Sequence, residues 1–366
     1  MTHLDSMATP AGVVDLDRME RNLRGMQRYA AAHRLALRPH AKTHKSPAIT
    51  RQQIEHGAVG ITVATTVEAD RLGPDTPELL LAYPPLGPRA SAAAASARVR
   101  PTLVALDSPF ALDALRAAAQ AAGVQVGVLV ELDVGMRRCG VPDAAAALRL
   151  ARACDDDVPF RGVMFYPGHI REPVAEQDAA LEALARSVAA TVTALGDAGI
   201  APAIVSGGST PTAFRSHEVP HLTEIRPGTY VFNDRTTYAI GACAHDDVAY
   251  SVLATVVSTA VDGQAVVDAG SKALSSDVLR AAGKDGYGEL LDRPEVAVSR
   301  LSEEHGVLDL SRTDWRPRVG ERVRIMPNHV CVSVNLQTVV HGFRGGRLER
   351  SWSPAARGWD SLPIEP

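Results

Sequence analysis

The stretch LRPHAKTHK, residues 37–45, sets Arg38, His40, Lys42, His44 and Lys45 into nine positions around Pro39. So many groups able to hold or release a proton fit one of two chemistries. One is a solvated basic loop. The other is a catalytic lysine amine, which forms and exchanges an imine near neutral pH when neighbouring cations disfavour an ammonium ion. Arg38, Lys45 and any protonated histidine are the candidates for that influence, and Pro39 for fixing the exit of the preceding strand. The histidines are equally open to holding a cofactor or a phosphate, and their spacing assigns neither role.

A second pattern is SGGST: Ser206, Gly207, Gly208, Ser209 and Thr210. Glycines let the backbone come close to an anion, and successive N–H groups with Ser/Thr hydroxyls can cradle its oxygens. A plain glycine-rich strand-to-helix turn is the alternative. The segment is no G-x-G-x-x-G fingerprint, and no Lys-Ser/Thr follows the glycines, so a monophosphate suits it better than a nucleotide. A third is PNHVC, residues 327–331, where His329 and Cys331 stand two apart. On a strand both side chains would project from one face. Imidazole with thiolate favours zinc over magnesium or calcium, and two protein ligands leave positions open for water and substrate. A half-buried strand with an inert cysteine is the alternative there.

These residues need elements to position them. Up to about residue 245, β-branched runs alternate with alanine-rich helical stretches: LALRPHAK, GITVATT, ELLLAYP, PTLVALD, QVGVLVELDVG, RGVMFYPGH, APAIVSGG and HLTEIRPGTY. Eight such segments with helical patterns between them predict a (β/α)8 TIM-type barrel, with a doubly wound sheet as the alternative. Ser46 and Pro47 read as the cap and first residue of a helix that Gly57 closes. RLGPDTPELL is too short to read as a helix, and ASAAAASAR at 90–98 reads as helix or loop. In a barrel, functional side chains collect at the C-terminal strand ends. There stand Lys42, SGGST, Tyr166, Gly168 and His169 of YPGH, and Arg226 and Tyr230 of EIRPGTY. Beyond residue 245 the pattern is all strand, with Asp262-Gly263 as a hairpin turn. The expected domains are therefore a barrel over 14–245 and a β domain over 246–366 joined by residues 1–13.

Bulk properties exclude several classes. At 366 residues the chain exceeds one ordinary domain. Its 38 basic and 42 acidic side chains leave a net charge of −4, which gives no support to nucleic-acid or membrane binding. The N-terminus lacks the basic and apolar regions of a secretory signal, and the apolar runs fall short of the ~20 residues of a membrane span. Cys139, Cys154, Cys243 and Cys331 show no paired spacing, as suits a reducing cytoplasm.

A reactive lysine with a monophosphate cradle in one barrel points to pyridoxal phosphate, whose aldehyde forms a Schiff base with lysine. In order along the chain, RPHAKTHK, ITVATTVEAD, LLLAYP, DVGMRRCG, YPGH, VSGGSTPT, EIRPGTY, VDAGSKALSSD, EEHG and PNHVC resemble the D-threonine aldolase / D-serine dehydratase family of fold-type III pyridoxal-phosphate enzymes, from about residue 10 to 360. The resemblance implies an alanine-racemase-like barrel followed by a β domain. It also implies a homodimer whose active site lies between the barrel of one chain and the β domain of the other.

Carried over position by position, Lys42 matches the Schiff-base lysine. Arg138 matches the arginine beside the cofactor's ring hydroxyl, and Tyr166 and His169 match residues near cofactor and substrate. Ser206 to Thr210 and Tyr230 match the phosphate-binding segment, and Arg226 the arginine against the pyridine nitrogen. His40 is a further cofactor contact. His329 and Cys331 match the metal pair, with zinc expected and manganese the other candidate. The H-x-C form leans toward dehydration of a D-3-hydroxy amino acid (D-serine or D-threo-3-hydroxyaspartate) to a 2-oxo acid and ammonia. The alternative is retro-aldol cleavage to glycine and an aldehyde, with His169 or another histidine as base. An amino-acid racemase needs no metal, and a non-catalytic pyridoxal-phosphate carrier needs no second domain, so both are disfavoured.

Overall fold

The computed structural model describes residues 3–279 and 285–358. The chain divides into two compact units. One comprises Met1–Gly25, Arg171–Val174 and Thr229–Pro354, and the other Met26–Ile170, Ala175–Gly228 and Ala355–Pro366. Residues 229–245, which the sequence boundary grouped with the barrel, fall in the first unit, and so do residues 14–25. The first strand of the chain, β1 (Ala11–Asp15), also belongs there.

The second unit is built on eight parallel strands: β2 (Ala36–Leu37), β3 (Ile61–Val63), β4 (Leu79–Leu81), β5 (Thr102–Leu106), β6 (Gly127–Leu132), β7 (Phe160–Phe165), β8 (Ile204–Gly207) and β9 (Glu224–Ile225). Each lies in one of the eight segments read from the sequence. Their order is β2-β9-β8-β7-β6-β5-β4-β3. The two ends then meet. Val59 N–H donates to Leu37 O (2.9 Å), Thr62 N–H donates to Pro39 O (2.8 Å), and His40 bridges Thr62 in parallel. The sheet is a closed barrel.

Side chains alternate across it, as a strand's period of two requires. Leu79, Leu81, Val104, Val128, Val130 and Val163 join the layer shared with the helices, while Leu80, Leu103, Ala105, Leu129 and Met164 form a separate cluster. Burying each such side chain contributes about 1.5–3 kcal/mol. The helix over Pro47–Glu55 starts as read, with Ser46 Oγ accepting from Ile49 N–H and Pro47 in the first turn. Between β3 and β4, where no helix was legible, Thr65 caps a short one over Thr66–Leu72 by accepting from Glu68 N–H. The alanine-rich stretch lies in the helix Pro88–Ala97. Helix Asp178–Asp197 is long and apolar enough by composition to cross a membrane. Its Leu181, Leu184, Val188 and Leu195 instead join the barrel's core layer.

The first unit is β-rich. After β1 it contains β10 (Tyr250–Ser258), β11 (Gln264–Val267), β12 (Gly288–Leu290), β13 (Arg293–Leu301), β14 (Gly306–Asp309), β15 (Arg322–Pro327), β16 (Val340–Arg344) and β17 (Arg347–Trp352). The order is β11-β14-β13-β12-β15-β10-β1-β16-β17, and a further β10–β11 pairing closes the first six into a ring. Gly263, at φ +74°, makes the turn between β10 and β11 that Asp262-Gly263 predicted. One expectation fails. The region after Pro327 is not strand but a helix over Val330–Leu336.

Candidate active site

Past Leu37 the chain stays extended through Pro39 and His40, then turns through the 3-10 helix Ala41–Thr43. Lys42 therefore stands in a turn beyond the strand rather than at its end. Most of the ionisable groups around it are already used. Arg38 is buried, with Nε donating to both carboxylate oxygens of Glu224 (3.0 Å each) and Nη2 to Glu78 Oε2 (2.6 Å). His44 is fully buried. Its Nδ1 accepts from Ser46 N–H (3.0 Å), its Nε2 donates to Gln53 Oε1 (3.2 Å), and burial drives its pKa down to about 4. Lys45 Nζ lies 3.5 Å from Glu68 Oε1 and donates to Ala356 O (2.9 Å). Burial, and then the charges of Lys42 and Arg226, hold the pKa of His40 well below the ordinary histidine value. Arg38 and Lys45 are matched to carboxylates, and both histidines are neutral at pH 7. Lys42 Nζ faces the ring of Tyr166, 5.7 Å from its centroid.

Tyr166 follows β7, and its placement depends on Gly168. A Cβ there would come within 2.1 Å of the tyrosine ring. Arg138 lies over the same ring, Cζ 5.1 Å from the centroid. His169 is exposed and packs on Gly135, where a Cβ would sit 2.9 Å from Nε2. The loop GMRRCG and the segment YPGH are therefore brought together at two points, with Tyr166 shared by Lys42 and Arg138. Arg226 is buried, with Nη2 donating to Phe165 O (2.6 Å). Burial lowers its pKa to about 10 while Glu224 and Glu131 support its charge, so it is a cation at neutral pH. Among the described residues, Arg226 Nε and His40 Nδ1 are buried with no hydrogen-bond partner. An unsatisfied buried polar group costs roughly 1–3 kcal/mol. Two of them beside Lys42 are what a site shaped for a polar ligand leaves when its ligand is not counted.

In SGGST the five residues divide. Ser206 Oγ donates to Glu224 Oε1 (2.6 Å), so its hydroxyl is spent inside the barrel. Gly207 passes so close to Phe165 that a Cβ would lie 2.1 Å from the ring, and Gly208 adopts φ +91°. Ser209 Oγ pairs with Thr212 Oγ1 (3.1 Å), and Thr210 opens the 3-10 helix Thr210–Glu218. Tyr230 is buried in the 3-10 turn Thr229–Val231 and belongs to the other unit. The sequence did not single out Glu131. It is a buried acid near the end of β6, raised in pKa by burial against the pull of Arg226 and Arg138. A lone carboxylate in the apolar run GVLVEL was the available signal.

The His329–Cys331 pair has a different origin. His329 precedes the first turn of helix Val330–Leu336, and Cys331 lies within it. Their approach therefore comes from a strand-to-helix junction, not from a strand face. The junction is set by Asp234, fully buried. Its Oδ1 caps helix Arg235–Ala239 by accepting from Thr237 N–H (2.9 Å). Its Oδ2 accepts from Val330 N–H (3.1 Å) and lies 3.2 Å from His329 Nδ1. With Nδ1 held by the carboxylate, Nε2 is the nitrogen left for a metal, the arrangement that commonly orients metal-bound histidines. Charge on the Cys331 sulfur, with Asp234 behind it, pushes the His329 pKa up to about 11 against the effect of burial. One imidazole and one thiol suit a soft divalent ion. No cluster of three or more potential metal ligands occurs among the described residues.

Comparison with known proteins agrees with this architecture. The family model for the alanine racemase N-terminal domain matches residues 14–236, and that for a putative serine dehydratase domain matches 249–343. D-threo-3-hydroxyaspartate dehydratase of Delftia sp. (strain HT23) is 37% identical over 352 residues, covering 90% of this chain and 92% of that one. D-threonine aldolase of Arthrobacter sp. is 33% identical over 360 residues, covering 96% and 93%. Among solved structures, the Delftia dehydratase superposes with a TM-score of 0.89 at 33% identity, over 98% of this chain and 100% of that one. D-threonine aldolase from Filomicrobium marinum superposes with a TM-score of 0.88 at 35% identity, over 97% of each chain. Similar structures also include D-threo-3-hydroxyaspartate dehydratase as a histidine-to-alanine variant and, in a metal-free form, as a cysteine-to-alanine variant two positions further on.

Proposed function

The chain belongs to the family that joins an alanine racemase N-terminal domain to a serine dehydratase domain, and from that premise we propose a pyridoxal-phosphate- and metal-dependent lyase of D-3-hydroxy amino acids. Within that class we assign it dehydration to a 2-oxo acid and ammonia. The observation that carries this assignment is the His329–Cys331 pair oriented by Asp234. It has the spacing of the histidine and cysteine varied in D-threo-3-hydroxyaspartate dehydratase, whose cysteine variant has a structure in the metal-free form.

The barrel's residues fit the cofactor. Lys42 Nζ, free of hydrogen bonds among the described residues, would hold its aldehyde carbon, and Gly207 to Thr210 would cradle its phosphate. Arg226 would face the ring nitrogen, and the unsatisfied nitrogens of Arg226 and His40 would gain partners. When bound, the cofactor supplies an electron sink conjugated to the substrate's α-carbon. Arg226 has no proton to spare and would leave the ring nitrogen unprotonated. Lys42, displaced by the incoming amino group, would take the α-proton. Arg138 and Tyr166 would fix the ring on the side they share.

His329 Nε2 and the Cys331 thiolate would hold the divalent metal, which supplies a Lewis acid for the departing β-hydroxyl. The thiolate favours zinc, with manganese the other candidate. We further assign a homodimer, with the barrel of one chain facing the β unit of its partner. A cytoplasmic setting suits four cysteines that form no disulfide.

The retro-aldol reading uses the same residues, with exposed His169 taking the β-hydroxyl proton as the Cα–Cβ bond breaks. It is favoured by the likeness to the Filomicrobium aldolase. Product analysis on cofactor- and zinc-loaded protein with D-serine, D-threonine and D-threo-3-hydroxyaspartate decides between them. Ammonia with a 2-oxo acid is expected, and glycine with an aldehyde would overturn the dehydratase assignment.

A further inference from the structure

Lys45 is a residue with a Cβ held at φ +46°, a conformation that sterics penalise and that glycine would adopt freely. A lysine kept there implies that its side chain is needed. Its polar groups are all engaged. Its N–H donates to Ala41 O (2.9 Å), closing the turn that carries Lys42. Its carbonyl accepts from Ala355 N–H (2.7 Å), and its Nζ donates to Ala356 O (2.9 Å). The same Nζ lies 3.5 Å from Oε1 of buried Glu68, whose Oε2 accepts from Ala64 N–H (2.7 Å) at the end of β3. Lys45 thus ties three things to the Lys42 turn: the exit of β3, the helix Thr66–Leu72 and a chain segment more than 300 residues downstream. Ala356 is only 1% exposed, so this downstream segment is packed rather than resting on the surface.

We propose that Lys45, clamped by Glu68 and by the backbone of Ala355–Ala356, is a positioning residue for Lys42. The segment Ala355–Ala356 is then a working part of the site. This rests on the reading that Lys42 holds the cofactor. The clamp acts on placement and touches neither cofactor nor substrate. An ångström of misplacement at a reacting amine can cost about 10²-fold in rate.

The test uses full-length holoenzyme carrying Lys45→Met, which keeps the stem, Lys45→Gly, which relieves the backbone, or Ala355→Pro, which removes one donor at an exposed alanine. Each is examined for circular dichroism, for the pH midpoint of the cofactor's visible band, for cofactor release, and for kcat and KM. All three should fold, release cofactor faster and shift the band. Their kcat should fall roughly 10–100-fold with KM little changed. Wild-type kcat and band in Lys45→Gly would overturn the proposal, because the side chain would then be dispensable. So would lost thermal stability with an unshifted band in Lys45→Met and Ala355→Pro, which marks a purely structural contact. A visible band that survives in Lys42→Ala would instead count against the Lys42 assignment, whatever the clamp variants do.

Discussion

The Lys42 turn and the His329–Cys331 pair both lie where a strand runs out into helical turns, yet they are supported in opposite ways. Around Lys42 the support is dense and comes largely from its own stretch. Arg38 binds two glutamates, His44 accepts from the N–H of Ser46, the cap of the next helix, and Lys45 anchors the turn. Around His329 the main support is one buried carboxylate, Asp234, 95 residues away in sequence. The contrast shows what a motif's density means. LRPHAKTHK is conspicuous mostly because of scaffold, with three supporting side chains around the proposed reactive amine and His40. PNHVC is sparse because the main support for the proposed ligand pair, Asp234, is supplied from elsewhere.

The sharpest way to break this comparison is Lys42→Ala. Loss of the amine should erase the cofactor's visible band and lower kcat on the order of 10⁴-fold. Comparable turnover would mean that LRPHAKTHK is scaffold throughout. The next effect is on stability and belongs to the barrel alone. His44 titrates near 4 in the fold and near 6.5 when unfolded, so its stabilisation is whole above about pH 6.5 and is lost as the pH falls toward 4. The loss amounts to about 3 kcal/mol in denaturant titrations. His44→Asn, which keeps an acceptor for Ser46 N–H, should flatten that slope, and an unchanged slope would assign it to other groups.

Asp234→Asn addresses the other site. It preserves the helix cap but removes the charge behind His329, so zinc affinity should fall roughly 10–100-fold. Metal titration monitored by activity would show it, with the visible band unaltered. A disturbed band would mean that the two sites are not supported separately. The smallest effect concerns Ser206→Ala, which removes the hydroxyl bonded to Glu224. About 1 kcal/mol of stability should go with no change in cofactor release. Faster release would return Ser206 to the phosphate cradle.

Much of the barrel was legible because each strand carries its own apolar run. Ser46-Pro47 and Asp262-Gly263 were legible because caps and turns are local chemistry. The helix after PNHVC was not. VCVSVNL alternates with a period of two, as a strand would, and its helical state depends on Asp234 taking Val330 N–H and on Ser333 Oγ donating to Ala273 O. Asp234 was half legible, since Asp-Arg-Thr-Thr reads as a cap while the reach of its second oxygen has no sequence signature. The bonds from Ala355 and Ala356 to Lys45 left no trace, because backbone groups are the same at every residue. Arg226 and the glycines of SGGST lie at the predicted strand exits, whereas Lys42 and His169 lie in the turns beyond theirs. The pairing of Arg38 with Glu224 and of Lys45 with Glu68 was not legible, because the burial of those carboxylates is a tertiary fact.

The pairing of β1 has a consequence for how the protein is made. This strand lies between β10, to which it is antiparallel, and β16, to which it is parallel. β1 precedes the barrel strands in sequence, whereas both strands that flank it in the sheet follow them. Tyr250 leaves the ribosome some 235 residues after Asp15, a delay of roughly 10–50 s at ordinary elongation rates. Throughout that interval Gly12, Val13 and Val14 lack both strand partners, while the strands of the barrel are being made. Until β10 and β16 are made, β1 therefore has a partner on neither side. Slowed translation between residues 226 and 250 would lengthen that exposure without altering a single contact of the finished fold.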